Sequence, residues 1–164
     1  MARDGYNYEA MSKKRMAVSA LFLNEEGHVL IVKPSYRQDW LLPGGIVEAN
    51  ESPREACIRE VMEELNLSVP LKRLLCVEYH SDDTKQTESV QFVFYGGRLE
   101  ESQIACLNVP DPELSAYRFS SREEAIQLLS YKLAKRLPYC LQAIEEDTIF
   151  YLEDGKRPEI TMSE

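Results

Sequence analysis

The sequence predicts a single α/β domain, and three observations carry that expectation. The chain has 164 residues and 18.9 kDa, one domain's worth and enough to bury a core without disulfides. Short apolar runs separated by polar or glycine-containing breaks read as strands. Among them stands one helix with complete start and stop signals, between Ser52 and Asn66.

In chain order, residues 1–15 are polar and read as a loose N-terminal arm. Met16–Leu23 and His28–Lys33 are two apolar strands joined by a hairpin loop, Asn24 to Gly27. Lys13-Lys14-Arg15 before Met16–Leu23 imitates a signal peptide, but no small-residue cleavage site follows, so the run is read as a buried strand. Pro34 to Asp39 is a loop by composition, and Trp40-Leu41-Leu42 leads into a break at Pro43-Gly44-Gly45. The helix then opens with Ser52 as N-cap, Pro53 at the first helical position and Glu55 completing a capping box. Cys57, Ile58, Val61, Met62 and Leu65 form one apolar stripe, and Asn66 suits the left-handed exit. Leu71–Tyr79 and Val90–Leu99 read as strands joined by a polar loop from Ser81 to Ser89, and Ala105–Pro112 as irregular. Tyr117–Phe119 is a short strand. Glu123–Leu129 and Tyr131–Ile144 are helices, the second interrupted near Pro138. Thr148–Leu152 is a last strand, so the domain spans 16–153 and a polar tail spans 154–164.

Composition narrows the function. Nineteen Lys and Arg stand against 28 Asp and Glu, a net charge of −9. That disfavours duplex nucleic acid and anionic membrane surfaces as partners. It leaves small anionic substrates open, because a bound cation inverts the local field. No apolar run approaches a membrane span. Cys57, Cys76, Cys106 and Cys140 have neither zinc-site nor redox-pair spacing, so they read as free, mostly buried thiols of a cytoplasmic protein.

Glu60, Glu63 and Glu64 share one face of the helix at i, i+3 and i+4. Like charges at this spacing weaken a helix unless something compensates them. In so acidic a chain a solvated face is the ordinary reading. A hard divalent cation is the natural compensation, and carboxylate oxygens suit Mg²⁺, with Mn²⁺ as a substitute. Beside a Gly-Gly turn, such a face suggests a metal-assisted phosphate site.

The stretch GIVEANESPREACIREVMEELNL, Gly45 to Leu67, decides between the two. It has Gly45, five residues, Glu51, seven residues, Arg59-Glu60-Val61, one residue, Glu63-Glu64, one residue, then Asn66-Leu67. This resembles the Nudix box, and Leu42-Pro43-Gly44-Gly45 resembles the lead-in common in that family. Six fixed letters match by chance roughly once in ten thousand such chains. One departure is visible: Asn66 stands where the box has its last Gly, and it removes no ligand.

The resemblance implies a Nudix fold, an α/β/α sandwich around a mixed β-sheet. It implies a Mg²⁺-dependent pyrophosphohydrolase cleaving the diphosphate bond of a small nucleotide: a nucleoside triphosphate, ADP-ribose or ADP-sugar, or another nucleoside diphosphate linked to a group X. Glu60 and Glu64 would be the main metal ligands, with Glu63 a ligand or a base and the Gly44 carbonyl a further ligand. Arg59 and Glu51 would pair to brace the loop and orient the carboxylates. Family members often use another Glu from a later loop, for which Glu113 is the best candidate and Glu100 and Glu101 compete. Many relatives are homodimers, which the resemblance makes an expectation here too.

Trp40 is a candidate to stack on a base, and packing beneath the loop is an equal alternative. Tyr36, Arg37 and Lys33 are candidates to touch phosphates. His28 and His80 read as structural or surface residues. The rival function is a Nudix-fold module that binds a nucleotide without cleaving it. Such modules tend to lose box carboxylates or to add a DNA-binding domain; here all three glutamates are present and 164 residues leave no room for one. An isomerase acting on an isoprenoid diphosphate is a weaker third reading.

Overall fold

The computed structural model describes residues 7–81 and 88–159. The start of the expected arm, most of the loop from Ser81 to Ser89 and the end of the tail lie outside them. Seven strands form one mixed sheet: β1 (Arg15–Leu23), β2 (Val29–Pro34), β3 (Gly44–Ile46), β4 (Arg73–His80), β5 (Ser89–Arg98), β6 (Leu114–Ser120) and β7 (Phe150–Glu153). The order is β6-β2-β1-β5-β4-β7, with β3 pairing with β1 outside this path. β1 runs parallel to β5 and β4 parallel to β7; the other pairs are antiparallel.

The helices are α1 (Pro53–Leu65), α2 (Glu101–Ala105), α3 (Arg122–Leu128) and α4 (Tyr131–Glu145). Strand alternation divides the core into two layers. Val18, Ala20 and Phe22 of β1 pack with Ala56, Cys57, Val61 and Leu65 of α1. Leu21 and Leu23 turn the other way, toward Ala125 of α3 and Leu133, Leu137 and Cys140 of α4. The result is the expected α/β/α sandwich around a mixed sheet.

β1 and β2 meet in register only at Leu23↔Val29. Beyond that point the strands part. β1 takes β3 as partner at Ala17↔Ile46, Val18↔Gly45 and Ser19↔Gly44, while Val32 of β2 bridges Leu41. The Pro-Gly-Gly turn is thus wedged into a fork of the sheet, against α1.

The structure departs from the sequence reading in four places. The break expected at Pro43-Gly44-Gly45 runs into β3, because Gly44–Ile46 pairs with β1. α4 is continuous through Pro138. A proline removes one backbone bond, but Leu133, Leu137, Cys140 and Ala143 anchor the helix on the core to either side. β6 is longer than Tyr117–Phe119, because antiparallel pairing from Val29↔Ser120 to Pro34↔Leu114 extends it. α2 forms in a segment whose local pattern gave no helix, and none of its residues is buried.

The ends of α1 are as expected. Ser52 accepts from Glu55 N–H, and the Glu55 side chain accepts from Ser52 N–H at 2.9 Å. Asn66 closes the helix in the left-handed region at φ 52, ψ 36. Glycine adopts that conformation without a Cβ penalty but loses more entropy on folding. Asn66→Gly should therefore leave the stability read by urea unfolding within about 0.5 kcal/mol of wild type.

Candidate functional site

The face of α1 nearest the fork carries Glu60 and Glu64. Both line a cavity of about 460 Å³ together with Gly44, Gly45 and three further carboxylates, Glu48, Asp111 and Glu113. Glu64 is 9% exposed and accepts the Gly44 N–H at 2.9 Å. Burial pushes its carboxyl up to about 8; the Gly44 bond opposes this, and the charges of Glu60, Asp111 and Glu113 add to it. Burial raises Glu60 as well, against the counter-pull of Arg59.

Gly44 is required by close approach to the backbone of β1, and Gly45 lies against a side chain. Gly44 has φ 149, and a Cβ there would overlap the Val18 carbonyl of the paired strand. A Cβ on Gly45 would overlap the Glu60 carboxylate. The backbone turn and the carboxylates therefore sit against each other with no side chain between.

Arg59 fixes this arrangement. Its Nε and Nη2 donate to both oxygens of Glu51 at 2.8 and 3.0 Å. Nη1 donates to Glu60 at 3.0 Å and to Glu63 at 3.2 Å, and Nη2 to the Ile46 carbonyl at 3.1 Å. The guanidinium bond holds the Glu51 carboxyl below its usual range, and Glu51 in turn accepts the Glu48 N–H at 3.0 Å. One planar fork thus ties the loop before α1 to the carboxylate face. Lysine keeps the charge but cannot serve both partners. Arg59→Lys should cost about 10–100-fold in metal affinity, read by titrating the metal against turnover or against thermal stability.

The structure places the other candidates unequally. Glu113 comes to the cavity on a turn in which its N–H donates to Asp111 Oδ1 at 2.8 Å. Tyr36 lines the rim, 71% exposed. Glu63 is exposed, held by Arg59 outside the cavity lining. Arg37 pairs with Asp39 at 2.8 Å and is not among the residues that line the cavity, and the Lys33 amine donates to the Gln38 carbonyl. Trp40 packs against the α3–α4 core with Arg118 over its ring, so it takes the packing role. Glu100 and Glu101 start α2, away from the cavity.

Sequence reasoning missed Asp111 and Glu48 as lining residues. Asp111 had a signal, since it flanks Glu113 in Asp111-Pro112-Glu113. It also missed a buried polar cluster. Glu78, fully buried on β4, accepts from Arg136 of α4 and from the Gly155 N–H, the latter at 2.6 Å. Arg136 Nη2 donates to His80 Nε2 at 3.0 Å, and His80 Nδ1 faces Asp154 at 3.3 Å. Burial holds His80 below its ordinary value. Asp154 and Gly155, assigned to the tail, are therefore tied into the fold.

The chemistry of the acidic cavity fits a hydrated divalent cation. Among the described residues no three Asp, Glu, His or Cys side chains form a ready-made ligand cage. Mg²⁺ does not need one: it takes one or two protein carboxylates and keeps waters and substrate phosphate oxygens. Glu60, Glu64 and Gly44 supply that kind of set, and a cation would relieve the cost of burying both carboxylates.

A family model described as the NUDIX domain matches residues 13–142. The human diphosphoinositol polyphosphate phosphohydrolase NUDT4B is 39% identical over 90 residues, 54% of this chain and 50% of that protein. The chain thus spans about half the length of the curated relatives it matches. A MutT protein from Methanosarcina mazei Go1 has a TM-score of 0.66 at 23% identity, covering 84% of this chain and 99% of that one. An ADP-ribose pyrophosphatase from Streptococcus suis 89-1591 has a TM-score of 0.62 at 22% identity, covering 86% and 99%. These structural likenesses show the shared fold. Among the described residues no helix is long and apolar enough to cross a membrane.

Proposed function

The chain belongs to the Nudix family, and from that premise we propose that it is a divalent-metal-dependent hydrolase of diphosphate bonds. The observation that carries this reading is the pair Glu60 and Glu64, buried or half-buried beside Gly44 at a cavity with no Lys or Arg among its described lining. A nucleoside diphosphate linked to a group X was the substrate class expected from the sequence. The likeness to a diphosphoinositol polyphosphate phosphohydrolase adds a second diphosphate class, which the sequence reading did not include.

Glu60, Glu64 and the Gly44 carbonyl would hold Mg²⁺, or Mn²⁺ in its place, with Glu63 the weaker candidate because it lies outside the cavity. Bound there, the ion would neutralise phosphate oxygens and lower the pKa of a water. Arg59 and Glu51 keep Glu60 aimed at the cavity. Glu113 reaches the same cavity from a separate loop, is exposed, and would accept the proton of the attacking water. The Gly44-Gly45 backbone lies against the carboxylates with no side chain between, at the wall of the same cavity. A fixed oxygen set on a capped helix is most of what such a reaction asks of the protein.

The test is a panel of ADP-ribose, UDP-sugars, nucleoside triphosphates and a diphosphoinositol polyphosphate, with and without Mg²⁺, following released phosphate and the second product. Metal-dependent cleavage of one class, lost in Glu64→Gln, supports the reading. Tight binding of a panel member with no turnover in any metal overturns it in favour of a binding module.

A further inference from the structure

Glu113 stands on the loop that leads into β6, close enough to Glu64 for its charge to act there. Its side chain is exposed, so its place at the cavity is set by its backbone. Both backbone polar atoms of the residue are engaged. The N–H donates to Asp111 Oδ1 at 2.8 Å. The carbonyl accepts twice from Ser35, from its N–H at 2.7 Å and from its hydroxyl at 3.0 Å. The same hydroxyl lies 3.3 Å from the Pro112 carbonyl, so its one proton is shared between two successive carbonyls of the loop. The Leu114 N–H closes the turn on the Asp111 carbonyl at 3.1 Å.

Strand register brings Ser35 to this loop. β2 and β6 pair residue for residue from Val29↔Ser120 to Lys33↔Ala116, and the next pair is Pro34↔Leu114. Ser115 is the extra residue of a β-bulge, and its hydroxyl donates to the Lys33 carbonyl at 3.1 Å. Phe119 and Tyr117 pack on the α1 side of the sheet. Regular alternation would place Ser115 next on that side; the bulge places Leu114 there instead, buried in the core. Glu113, the residue before it, then comes to the cavity wall. Pro34 and Tyr36 line the same cavity on either side of Ser35, whereas Ser35 is exposed and is not among the lining residues.

We infer that Ser35 is a positioning residue: it clamps the Pro112-Glu113 backbone so that the Glu113 carboxylate stands at the cavity with Glu60 and Glu64. The inference rests on the hydrolase reading and on Glu113 as the acceptor of the water's proton. Ser35 acts through Glu113 and not on the substrate. A general base works only within hydrogen-bond reach of the proton it takes. A misplacement of about 1 Å costs on the order of a hundredfold in rate. The Ser35 N–H still holds the Glu113 carbonyl when the hydroxyl is removed, so the loss from removing it is smaller.

The test compares wild type with Ser35→Ala, Ser35→Thr, Glu113→Gln and Ser35→Ala/Glu113→Gln on the same panel of ADP-ribose, UDP-sugars, nucleoside triphosphates and a diphosphoinositol polyphosphate with Mg²⁺. Ser35→Ala should lower kcat about tenfold with KM within about twofold of wild type. Ser35→Thr keeps the hydroxyl and should turn over within about twofold of wild type. The double variant should be as slow as Glu113→Gln alone, because the clamp then has no base to position. In the metal-free protein, the Glu113 and Leu114 amides should exchange about threefold faster in Ser35→Ala than in wild type, read by NMR. A wild-type kcat in Ser35→Ala, a loss there that multiplies the loss of Glu113→Gln, or unchanged exchange overturns the inference while the hydrolase reading stands. Full activity of Glu113→Gln overturns it as well, since the proton acceptor is then another group. Cleavage of no panel member by wild type in any metal overturns the hydrolase reading itself.

Discussion

Replacing Glu64 with Gln should lower metal-dependent turnover about a thousandfold while making the metal-free protein more stable at pH 8. The first effect is loss of a ligand charge where the transition state needs a cation; each tenfold is about 1.4 kcal/mol, and several kcal/mol of charge stabilisation are at stake. The second follows from burial. Glu64 titrates at about 8 in the metal-free fold, against an ordinary 4.5. Below pH 4.5 the group is protonated in both states and costs nothing. Between 4.5 and 8 the folded state keeps a proton that the unfolded chain has released, so stability falls as pH rises through that window. A glutamine in its place retains the size and an acceptor for the Gly44 N–H but carries no such cost. Urea unfolding of both proteins from about pH 5 to about pH 8.5, without metal, should show stabilities that diverge by a few kcal/mol toward high pH. His80 acts in the opposite sense, since its lowered value adds stability as pH rises to 6.5, but it is common to both proteins and cancels. Added Mg²⁺ should restore wild type and not the variant. Parallel curves would mean that Glu64 is not a buried, metal-relieved carboxylate.

Arg136→Met should cost about 3–5 kcal/mol in urea unfolding, the largest stability loss we expect from one substitution. The reason lies less in the bond removed than in what stays behind. Glu78 is fully buried, and without Arg136 it keeps only the Gly155 N–H as a hydrogen-bond donor among the described residues. His80 loses the donor to its Nε2 at the same time. Converting Glu78 to Gln in the same chain should recover more than half of the loss, because the stranded charge is then gone. An Arg136→Met protein as stable as wild type would show that Glu78 is reached by solvent.

The carboxylate half of the candidate site was legible because its logic is local. Gly45, Glu51, Arg59, Glu60 and Glu64 lie in one short stretch of chain, and helix periodicity places them. The capping box at Ser52 and the left-handed Asn66 are equally short-range, which is why both ends of α1 were foreseen to the residue. Trp40 shows the limit. A local pattern cannot say whether an aromatic side chain beside a turn faces ligand or core, and contacts with α3 and α4 decided it. Pro138 shows another: a rule about one missing hydrogen bond yields to the buried side chains of Leu133, Leu137, Cys140 and Ala143 on the same helix.

The sequence by itself determined the fold class, the family resemblance and the carboxylate set, since each rests on residue spacing within a single element or between neighbouring ones. Only the tertiary structure decided which carboxylates face the cavity, leaving Glu63 outside and bringing Asp111, Glu113 and Glu48 in. It alone revealed the bulge between β2 and β6 and the bonds from Ser35 to the Glu113 loop, which join distant parts of the chain. Strand register and helix docking are set by the burial of apolar surface along the whole chain. A cluster of charges built on them has no signature in any one stretch of it.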